Sequence, residues 1–457
     1  MKVIARISTL LGKITIAIFC LTLPAHGKYG GGTGEPNEPY LIFDANQMNA
    51  IGADANDWHK HFKLMADIDL GQFTGTEFNI IEGFPGVFDG NGHTISNFTY
   101  TSPDKNGGYL FGGVSGNNAE IKNLGLINPN IDMGTGWYVG SLVGALKGTI
   151  TNCYVEGGTV SGSCGVGGLV VQNWGEITNC YATCSVSGTC EGVSGLVVDN
   201  FGTITNCYST GDVNGYSKVG GLVGKNYGSI SNCYSNSFVS GGDWFVGGLV
   251  GDNYEGSISN CYSTGDVNGV DDVGGMVGGN NGSVSNCYST GDVSGYRCVG
   301  GLVGYNDEGS IYNCCSTGDV SGDDYIGGMV GGNSSGISNC YSTGNVSGNW
   351  NVGGLAGGNF DSISNCFWDT DKQTNGVTES IGYNQGTVTN VYGLPTYKMQ
   401  KRSTFTDTGW DFINVWNIGE NQTYPYLRTF LAGDINKDGI VNFLDLSITA
   451  NQWMEEQ

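Results

Sequence analysis

The residues best suited to bind a metal ion lie near the C-terminus, in the stretch DINKDGIVNFLD. Oxygen donors recur there at nearly alternate positions, with one backbone carbonyl among them: Asp434, Asn436, Asp438, Ile440, Asn442 and Asp445. Gly439 stands where such a loop has to turn sharply. A hard cation such as Ca²⁺ takes about six to eight oxygen ligands and suits this spacing. The sequence therefore predicts a Ca²⁺ site between Asp434 and Asp445.

A second candidate for chemistry is a Cys that follows Asn at nine places. These cysteines recur at intervals of 26 to 28 residues: Cys153, Cys180, Cys207, Cys233, Cys261, Cys287, Cys314, Cys340 and Cys366. A single reactive thiol could act as a nucleophile or a metal ligand. Nine equivalent thiols are better explained as small apolar residues of a repeating core. We therefore expect these Cys side chains to point inward and to serve packing.

One pair of the remaining cysteines is expected to form a disulfide. Cys164 and Cys190 each lie four residues after an equivalent Val, Val160 and Val186, in consecutive repeats. Consecutive coils lie one strand spacing apart, ~4.8 Å. A turn gives the backbone more freedom than a strand to reach the ~3.8 Å Cβ separation that a disulfide needs.

The repeat itself decides the fold class. Each unit carries a second phrase such as VGGLVGDN (Val246 to Asn253), so two separate markers fix the period. One unit contains three apolar pieces, VGGLVG, SISNCYS and DVNG, and leaves no room for a helix. We expect an all-β parallel β-solenoid, because a propeller blade needs about 40 or more residues. About twelve coils would form a rod of ~55 Å at a strand spacing of ~4.8 Å.

A Tyr follows the Cys in most units, and neighbouring residues of a strand face opposite sides. With Cys inside, the Tyr side chains would form an external column that could bind a ligand: Tyr181, Tyr208, Tyr234, Tyr262, Tyr288 and Tyr341. Stacked rings could equally serve only to stabilise the rod. If Tyr rather than Cys were buried, the column would not be a ligand site. The Asn before each Cys is expected to join a ladder of hydrogen-bonded amides.

The segments around the repeats complete the organisation. Residues 1–27 have the basic, apolar and small-residue pattern of a secretory signal peptide. Residues 28–100 are expected to hold an N-terminal cap and the first coils, and residues 101–392 the repeats. Aromatic residues are concentrated at 393–430, as in a closing cap, and the calcium-binding half-module covers 431–457. After the signal peptide, no segment approaches the ~18 uninterrupted apolar residues of a membrane span.

The composition limits the partners. The chain has 81 Gly and a formal net charge of -24, with only 13% charged residues. Regular Val, Leu and Ile among the glycines argue against disorder. The acidic balance argues against nucleic acid and anionic membranes as partners.

The phrases GGLVGDN and GSISNCYSTGDV together resemble the GLUG-repeat family, found in bacterial surface and secreted proteins. The resemblance covers roughly Tyr109 to Tyr392 and rests on repetition. It implies a parallel β-solenoid with an adhesive or spacer role and no catalytic residue in the repeat. Some zinc peptidases carry such repeats together with a His-Glu-x-x-His motif. That activity is not carried over, because the chain after the signal peptide has only His59, His61 and His93.

The C-terminal loop is similar to one half of a dockerin, the module that docks secreted proteins onto cohesin scaffolds. The similarity rests on the arrangement Gly-Asp-x-Asn-x-Asp-Gly-x-Val-Asn-x-x-Asp-Leu, starting at Gly433. It implies EF-hand-like Ca²⁺ binding and a cohesin-like partner. Family dockerins carry two such loops, and this sequence contains one.

Three functions are compatible with these features. The favoured one is a secreted or cell-surface protein without catalysis that binds a glycan, matrix or cell-surface protein and attaches through its calcium tail. The second is a polysaccharide lyase or glycosidase of the β-helix type, which would need acid and base carboxylates. Carboxylates here recur in repeat columns, and Arg297 is the only Arg between Thr101 and Gln400. The third is a purely structural spacer.

Overall fold

The chain forms a parallel β-solenoid of about twelve coils, as the repeat predicts. The computed structural model describes residues 27–103, 105–116 and 118–428. Two predicted features lie outside these residues: the signal peptide up to residue 26, and the half-module at 431–457.

One coil consists of five short strands, where three were expected. In one coil they are Asp271–Gly274, Val277–Asn280, Ser283–Ser285, Tyr288–Ser289 and Val293–Ser294. The piece around Asn-Cys is broken at its Asn, because that backbone is left-handed (φ 52° at Asn286). Asn tolerates this conformation, and a strand cannot continue through it. The Val-Gly-Gly piece likewise splits, at the corner between the first two strands.

The strands of successive coils stack into four parallel sheets. The first sheet contains Val139–Gly140, Val166–Gly167, Glu191–Ser194, Ser217–Gly220, Trp244–Gly247, Asp271–Gly274, Arg297–Gly300, Asp324–Gly327 and Trp350–Gly353. The second contains Phe111–Val114, Val143–Leu146, Val170–Asn173, Val197–Asn200, Val223–Asn226, Val250–Asn253, Val277–Asn280, Val303–Asn306, Val330–Asn333, Ala356–Asn359 and Ile381–Asn384.

The third sheet holds the two strands on either side of each Asn-Cys pair, and also the strands of the first coils. Its strands are Tyr40–Ile42, His61–Leu64, Ile68–Asp69, Val87–Asp89, Thr94–Ser96, Glu120–Lys122, Gly125–Ile127, Thr149–Thr151, Tyr154–Glu156, Glu176–Thr178, Tyr181–Ala182, Thr203–Thr205, Tyr208–Ser209, Ser229–Ser231, Tyr234–Ser235, Ser257–Ser259, Tyr262–Ser263, Ser283–Ser285, Tyr288–Ser289, Ser310–Tyr312, Cys315–Ser316, Gly336–Ser338, Tyr341–Ser342, Ser362–Asp369 and Thr387–Leu394. The fourth contains Thr99–Thr101, Asn130–Asp132, Thr159–Gly162, Ser185–Gly188, Val213–Gly215, Val239–Gly241, Val267–Asn268, Val293–Ser294, Val320–Ser321 and Val346–Ser347.

The remaining elements lie at the two ends of the described chain. They are the helices Ala45–Gly52, Thr396–Met399 and Arg402–Thr406, the 3₁₀ turn Ala55–Asp57, and the antiparallel pair Trp416–Asn417 and Tyr426–Leu427.

The coils stack in register, so one kind of side chain fills each core position. Val267, Val293 and Val320 are direct partners in the fourth sheet, and each is 1% exposed. A slip of one residue would turn the buried side chains of a strand outward. The recurring Val, Ile, Leu and Cys therefore determine how the coils align.

The helix Ala45–Gly52 covers the N-terminal end of the rod. Asp44 caps it by accepting a hydrogen bond from the backbone N–H of Gln47 at 2.9 Å. Met48 and Ile51 are fully buried in the core of the first coils. This helix covers core side chains that would otherwise meet water.

The aromatic segment near the C-terminus lies on the flank of the rod, and the expectation that it closes the end was wrong for the part up to Arg428. Its rings pack on Tyr341 and Phe367, two coils of the third sheet. The last coil stays exposed, with Val388 at 40% and Tyr392 at 46%. The segment lies on the flank because its partners there, Tyr341 and Phe367, belong to coils that the sequence of the segment does not identify.

A column of buried Asn side chains runs along the second sheet, and the sequence analysis did not anticipate it. Each side-chain amide bonds to the next, at 2.7 to 2.9 Å: Asn173, Asn200, Asn226, Asn253, Asn280, Asn306, Asn333, Asn359 and Asn384. The first eight are fully buried. Their amides also reach the following turn, as in the bond from Asn280 Nδ2 to the Gly282 carbonyl at 3.3 Å. We call this column the inner Asn ladder.

The inner Asn ladder predicts a large difference between two adjacent residues. Asn280→Ala removes two amide bonds and leaves Asn253 and Asn306 with buried unpaired groups, so we expect a loss of about 2–4 kcal/mol in the free energy of unfolding. The control Asn281→Ala, in the same turn but partly exposed, should cost less than about 0.5 kcal/mol. Urea unfolding monitored by circular dichroism measures both. Equal losses would contradict a stabilising role for the ladder.

Candidate ligand-binding surface

The Asn-Cys-Tyr turn places each of its three residues in a different environment. The Asn residues are left-handed and partly exposed, and several bond to each other through their side-chain amides at 3.0 to 3.4 Å: Asn123, Asn152, Asn179, Asn206, Asn286, Asn313, Asn339, Asn365 and Asn390. In the coil that begins at Asp271, Cys287 is fully buried, whereas Tyr288 is half-buried. The Asn therefore forms the bend that sends Cys inward and Tyr outward.

The nine Cys side chains form a buried column, each with 0% exposure. Their thiols lie close to backbone carbonyls, as at Cys261, whose Sγ is 3.1 Å from the Ser259 oxygen. Burial raises the pKa of the Cys314 thiol well above its ordinary value. The pKa of Cys184, another buried thiol, rises to about 12 for the same reason. Because all nine thiols are fully buried, they act as small apolar residues of the core, and this column serves packing.

Cys164 and Cys190 are joined by a disulfide, with a Cα–Cα distance of 4.8 Å. The bond links consecutive coils at the corner that precedes the first sheet. Three other cysteines, Cys184, Cys298 and Cys315, are buried free thiols.

The burial of the free thiols predicts that they resist modification. The folded protein should not react with a thiol reagent such as DTNB within minutes, whereas the protein in guanidinium should react at every free Cys, because only local or global unfolding exposes them. A Ser321→Cys variant places one thiol on an exposed strand and provides a positive control. Rapid labelling of several thiols in the folded protein that does not carry Ser321→Cys would contradict the packing role.

The Tyr column is a continuous stack of nearly parallel rings. Centroid distances from Tyr154 through Tyr181, Tyr208, Tyr234 and Tyr262 to Tyr288 are 4.7 to 5.0 Å, with interplanar angles of 2 to 6°. Each inner ring therefore has both faces covered by its neighbours. Sugars usually bind to aromatic faces, and this column offers only ring edges and hydroxyls. The stack is suited to stabilising the rod.

Tyr341 is not part of any ligand surface, contrary to the expectation from the sequence. Its side chain is 3% exposed, and its hydroxyl donates a 2.6 Å hydrogen bond to the Pro425 carbonyl. Trp410 and Trp416 pack around its ring at 6.3 and 6.0 Å. The aromatic segment covers this position because Tyr341 and Phe367 offer it a flat apolar surface.

The same segment is anchored by a buried carboxylate. Asp369 is fully buried and accepts hydrogen bonds from the hydroxyls of Thr396, at 2.7 Å, and Tyr424, at 2.6 Å. Burial raises the pKa of Tyr424 to about 12, so this hydroxyl stays protonated and able to donate. The contact fixes the segment to the last coils.

A second aromatic row lies at the turn after the inner Asn ladder. Trp174, Phe201 and Tyr227 stack at 5.2 and 4.6 Å, with exposures of 43, 39 and 39%. Tyr254 continues the row but is tilted by 56°. As in the Tyr column, stacking covers the faces of the inner ring.

A third group of aromatic residues occupies the corner where the first sheet begins. Four of the five most exposed aromatic side chains of the described residues lie there: Tyr216 at 50%, Trp244 at 54%, Tyr296 at 58% and Trp350 at 67%. Each stands two or three residues before the Val of a Val-Gly-Gly phrase, at Val219, Val246, Val299 and Val352. We call these four residues the corner row. The sequence analysis missed these residues because it followed the columns that recur from coil to coil. The signal that could have found them is a departure from the repeat at this corner.

Charged residues occupy the corner between the two tryptophans. Strand register places Trp244, Asp271, Arg297, Asp324 and Trp350 in one column, one coil apart. This column combines aromatic faces with hydrogen-bond donors and acceptors. Ligand-binding surfaces use the same combination.

The predicted calcium loop from Asp434 to Asp445 lies outside the described residues. Within residues 27–103, 105–116 and 118–428, no group of three or more His, Cys, Asp or Glu side chains could hold a metal ion. In the same part of the chain no helix has the length and apolar character needed to cross a membrane.

Comparison with known proteins confirms the repeat. The GLUG motif matches five stretches, residues 135–161, 215–239, 244–268, 271–294 and 295–321. The chain carries GLUG motif repeats. These matches include Tyr216, Trp244 and Tyr296 of the corner row.

Two relatives share part of the sequence. Halomucin of Haloquadratum walsbyi is 32% identical over 136 residues, which are 28% of this chain and 2% of halomucin. A protein of Evansella cellulosilytica, described as a Gly-rich membrane protein, is 36% identical over 136 residues, or 28% of this chain and 16% of the relative. The chain thus spans a small part of the length of either relative.

A solved structure from Bacteroides ovatus, described as an immunoglobulin A1 protease, is 20% identical. The alignment covers 89% of this chain and 96% of that one, with a TM-score of 0.29.

Proposed function

We propose that the chain is a non-catalytic β-solenoid, exposed at the cell surface or secreted, that binds an extended ligand along its rod. The observation that supports this proposal is the corner row, where four of the five most exposed aromatic rings of the described residues share one edge of a rigid scaffold. Exposed aromatic residues that cluster on the surface of a protein usually mark a binding site. A spacer would need no such residues, so the row favours adhesion over a purely structural role.

The relatives support a surface location. One is halomucin, and the other is described as a Gly-rich membrane protein. The pattern of residues 1–27 favours export by the secretory route. Together they favour a protein that meets ligands outside the cell.

The carboxylates of the repeat favour a protein without catalysis. Asp266 and Asp292 each accept a hydrogen bond from the backbone N–H one coil further on, both at 2.9 Å, and Asp319 accepts one from Asn345 at 2.8 Å. Their regular use as backbone partners argues against roles as acid and base. The alternative remains a lyase or glycosidase of the β-helix type.

A binding and turnover assay separates the three functions. The purified protein should be retained by glycan or matrix material without releasing reducing sugars or unsaturated products, since the rod binds without cleaving. Heat-denatured protein is the control for non-specific retention. Turnover of any polysaccharide would contradict the proposal in favour of the enzyme, and absence of retention would favour the spacer.

We also infer that the C-terminal loop binds Ca²⁺ through Asp434, Asn436, Asp438, Ile440, Asn442 and Asp445 and attaches the protein to a cohesin-like partner. The oxygen ligands at EF-hand-like spacing support this inference.

Calorimetry tests the calcium loop directly. Asp434→Ala and Asp438→Ala each remove a charged ligand, so both should weaken Ca²⁺ binding by at least about tenfold. Asp407→Ala, on the exposed surface of the described chain, should not change the affinity. Unchanged affinity in both loop variants would remove the calcium site from the proposal.

A further inference from the structure

We propose that the corner row binds an uncharged, extended β-1,4-linked polysaccharide whose chain runs along the rod axis. This inference rests on the proposed function, because it assigns the ligand class to a rod that binds an extended partner. It uses the two tryptophans, Tyr296 and the charged residues between them.

The axial spacing of the corner row is set by the coils. Trp244 and Arg297 lie two coils apart, and so do Arg297 and Trp350. Tyr296 is the chain neighbour of Arg297. At ~4.8 Å per coil, Trp244, Tyr296 and Trp350 are therefore spaced by ~10 Å along the axis.

This spacing fits alternate sugars of an extended chain. A pyranose unit in an extended β-1,4 chain is about as long as one strand spacing. Alternate units of such a chain also present the same face to one side. Three aromatic rings on every second coil can thus contact the first, third and fifth sugars of one ligand.

The rings of the corner row have faces that a sugar can reach. In the Tyr column the inner rings are covered on both sides by parallel neighbours at 4.7 to 5.0 Å. Trp244 has an edge contact with Phe245, at 6.3 Å and 80°, and is still 54% exposed. Trp350 is 67% exposed. Coils with Asp271 and Asp324 intervene, so the aromatic rings of this column do not stack on one another.

The polar residues of the corner select against anionic ligands. Arg297 is exposed and lies between Asp271 and Asp324 in the column, and Asp323 precedes Asp324. Asp323 and Asp324 each accept a side-chain amide, from Asn349 at 2.6 Å and from Asn351 at 2.7 Å. The guanidinium and the carboxylates can hydrogen-bond sugar hydroxyls, whereas the surplus of negative charge repels a polyuronate.

Calorimetry with the full chain and defined oligosaccharides tests the ligand class. The probes are cellohexaose, xylohexaose and mannohexaose, with a galacturonic acid hexamer as the anionic comparator. At least one uncharged hexasaccharide should bind, and the anionic one should bind at least about tenfold more weakly because of the carboxylates. Affinity should rise between the tri- and pentasaccharide of the binding series, since only the longer ligand reaches Trp350 from Trp244.

Substitutions identify the surface. Trp244→Ala and Trp350→Ala should each weaken binding by about tenfold, the change expected for one lost aromatic contact. Tyr397→Ala is the matched control, since Tyr397 is 57% exposed but belongs to the helix Thr396–Met399 and not to the corner row. All three are surface changes, and thermal melts should be unaltered.

The outcomes separate this inference from the proposed function. Failure of all three uncharged hexasaccharides to bind would overturn the polysaccharide assignment. Binding that neither tryptophan variant weakens would overturn the corner row as the site, while the proposed adhesive function would stand. The protein could instead bind no sugar and yet be retained on a protein surface, with that retention lost in Trp244→Ala. This result would overturn the polysaccharide as ligand and leave the proposed function intact. Absence of retention on any glycan, matrix or cell surface would overturn both.

Discussion

The inner Asn ladder is the interaction on which the rest of the structure depends. Its first eight amides are fully buried, and each amide inside the ladder bonds to the amides of the coils before and after it. A buried amide without partners costs about 1–3 kcal/mol, so each coil from Asn173 to Asn384 is held in the register that brings its Asn against the next one. Together with the recurring core side chains, the ladder thus sets the alignment of these coils and the spacing of the residues they carry.

Variation in repeat length is accommodated where the ladder permits it. The steps between equivalent cysteines range from 26 to 28 residues. Asn253 bonds to Asn280 at 2.7 Å even though Glu255 adds a residue to the turn between Asn253 and Gly256. Glu255 takes a left-handed backbone, φ 62°, in that turn. Turns therefore accept insertions, while the ladder and the core Val positions do not.

The sequence predicted the architecture because a period with two markers can be read without any tertiary knowledge. The alternation of Cys inside and Tyr outside also followed from strand geometry. The breaks within a coil could not be read in the same way, because Asn286 can lie in a strand or in a left-handed bend. The inner Asn ladder was missed because an amide is polar and its burial depends on partners one coil away.

The candidate site was harder to predict than the fold. The flank position of the aromatic segment depends on contacts such as Tyr341 with Pro425, which are 84 residues apart. The corner row is defined by residues that do not repeat, such as Trp244 and Trp350. A search for columns passes over them, although their departures from the repeat could have been noticed. The predicted calcium loop lies beyond the described residues and stays a prediction.

Repeating and non-repeating residues therefore have different roles. The Asn, Cys and Tyr columns use their polar atoms and ring faces on one another, which stiffens the rod. The corner row stands on this scaffold with its rings exposed, and the coils fix its spacing.

One measurement tests this division most directly, using two residues of a single coil. Asn306→Ala, in the inner Asn ladder, should lower the urea midpoint and leave the oligosaccharide affinity of the folded protein unchanged. Tyr296→Ala, in the corner row, should lower the affinity and leave the urea midpoint unchanged. A pair of variants that both lose stability, or both lose affinity while folded, would contradict the account.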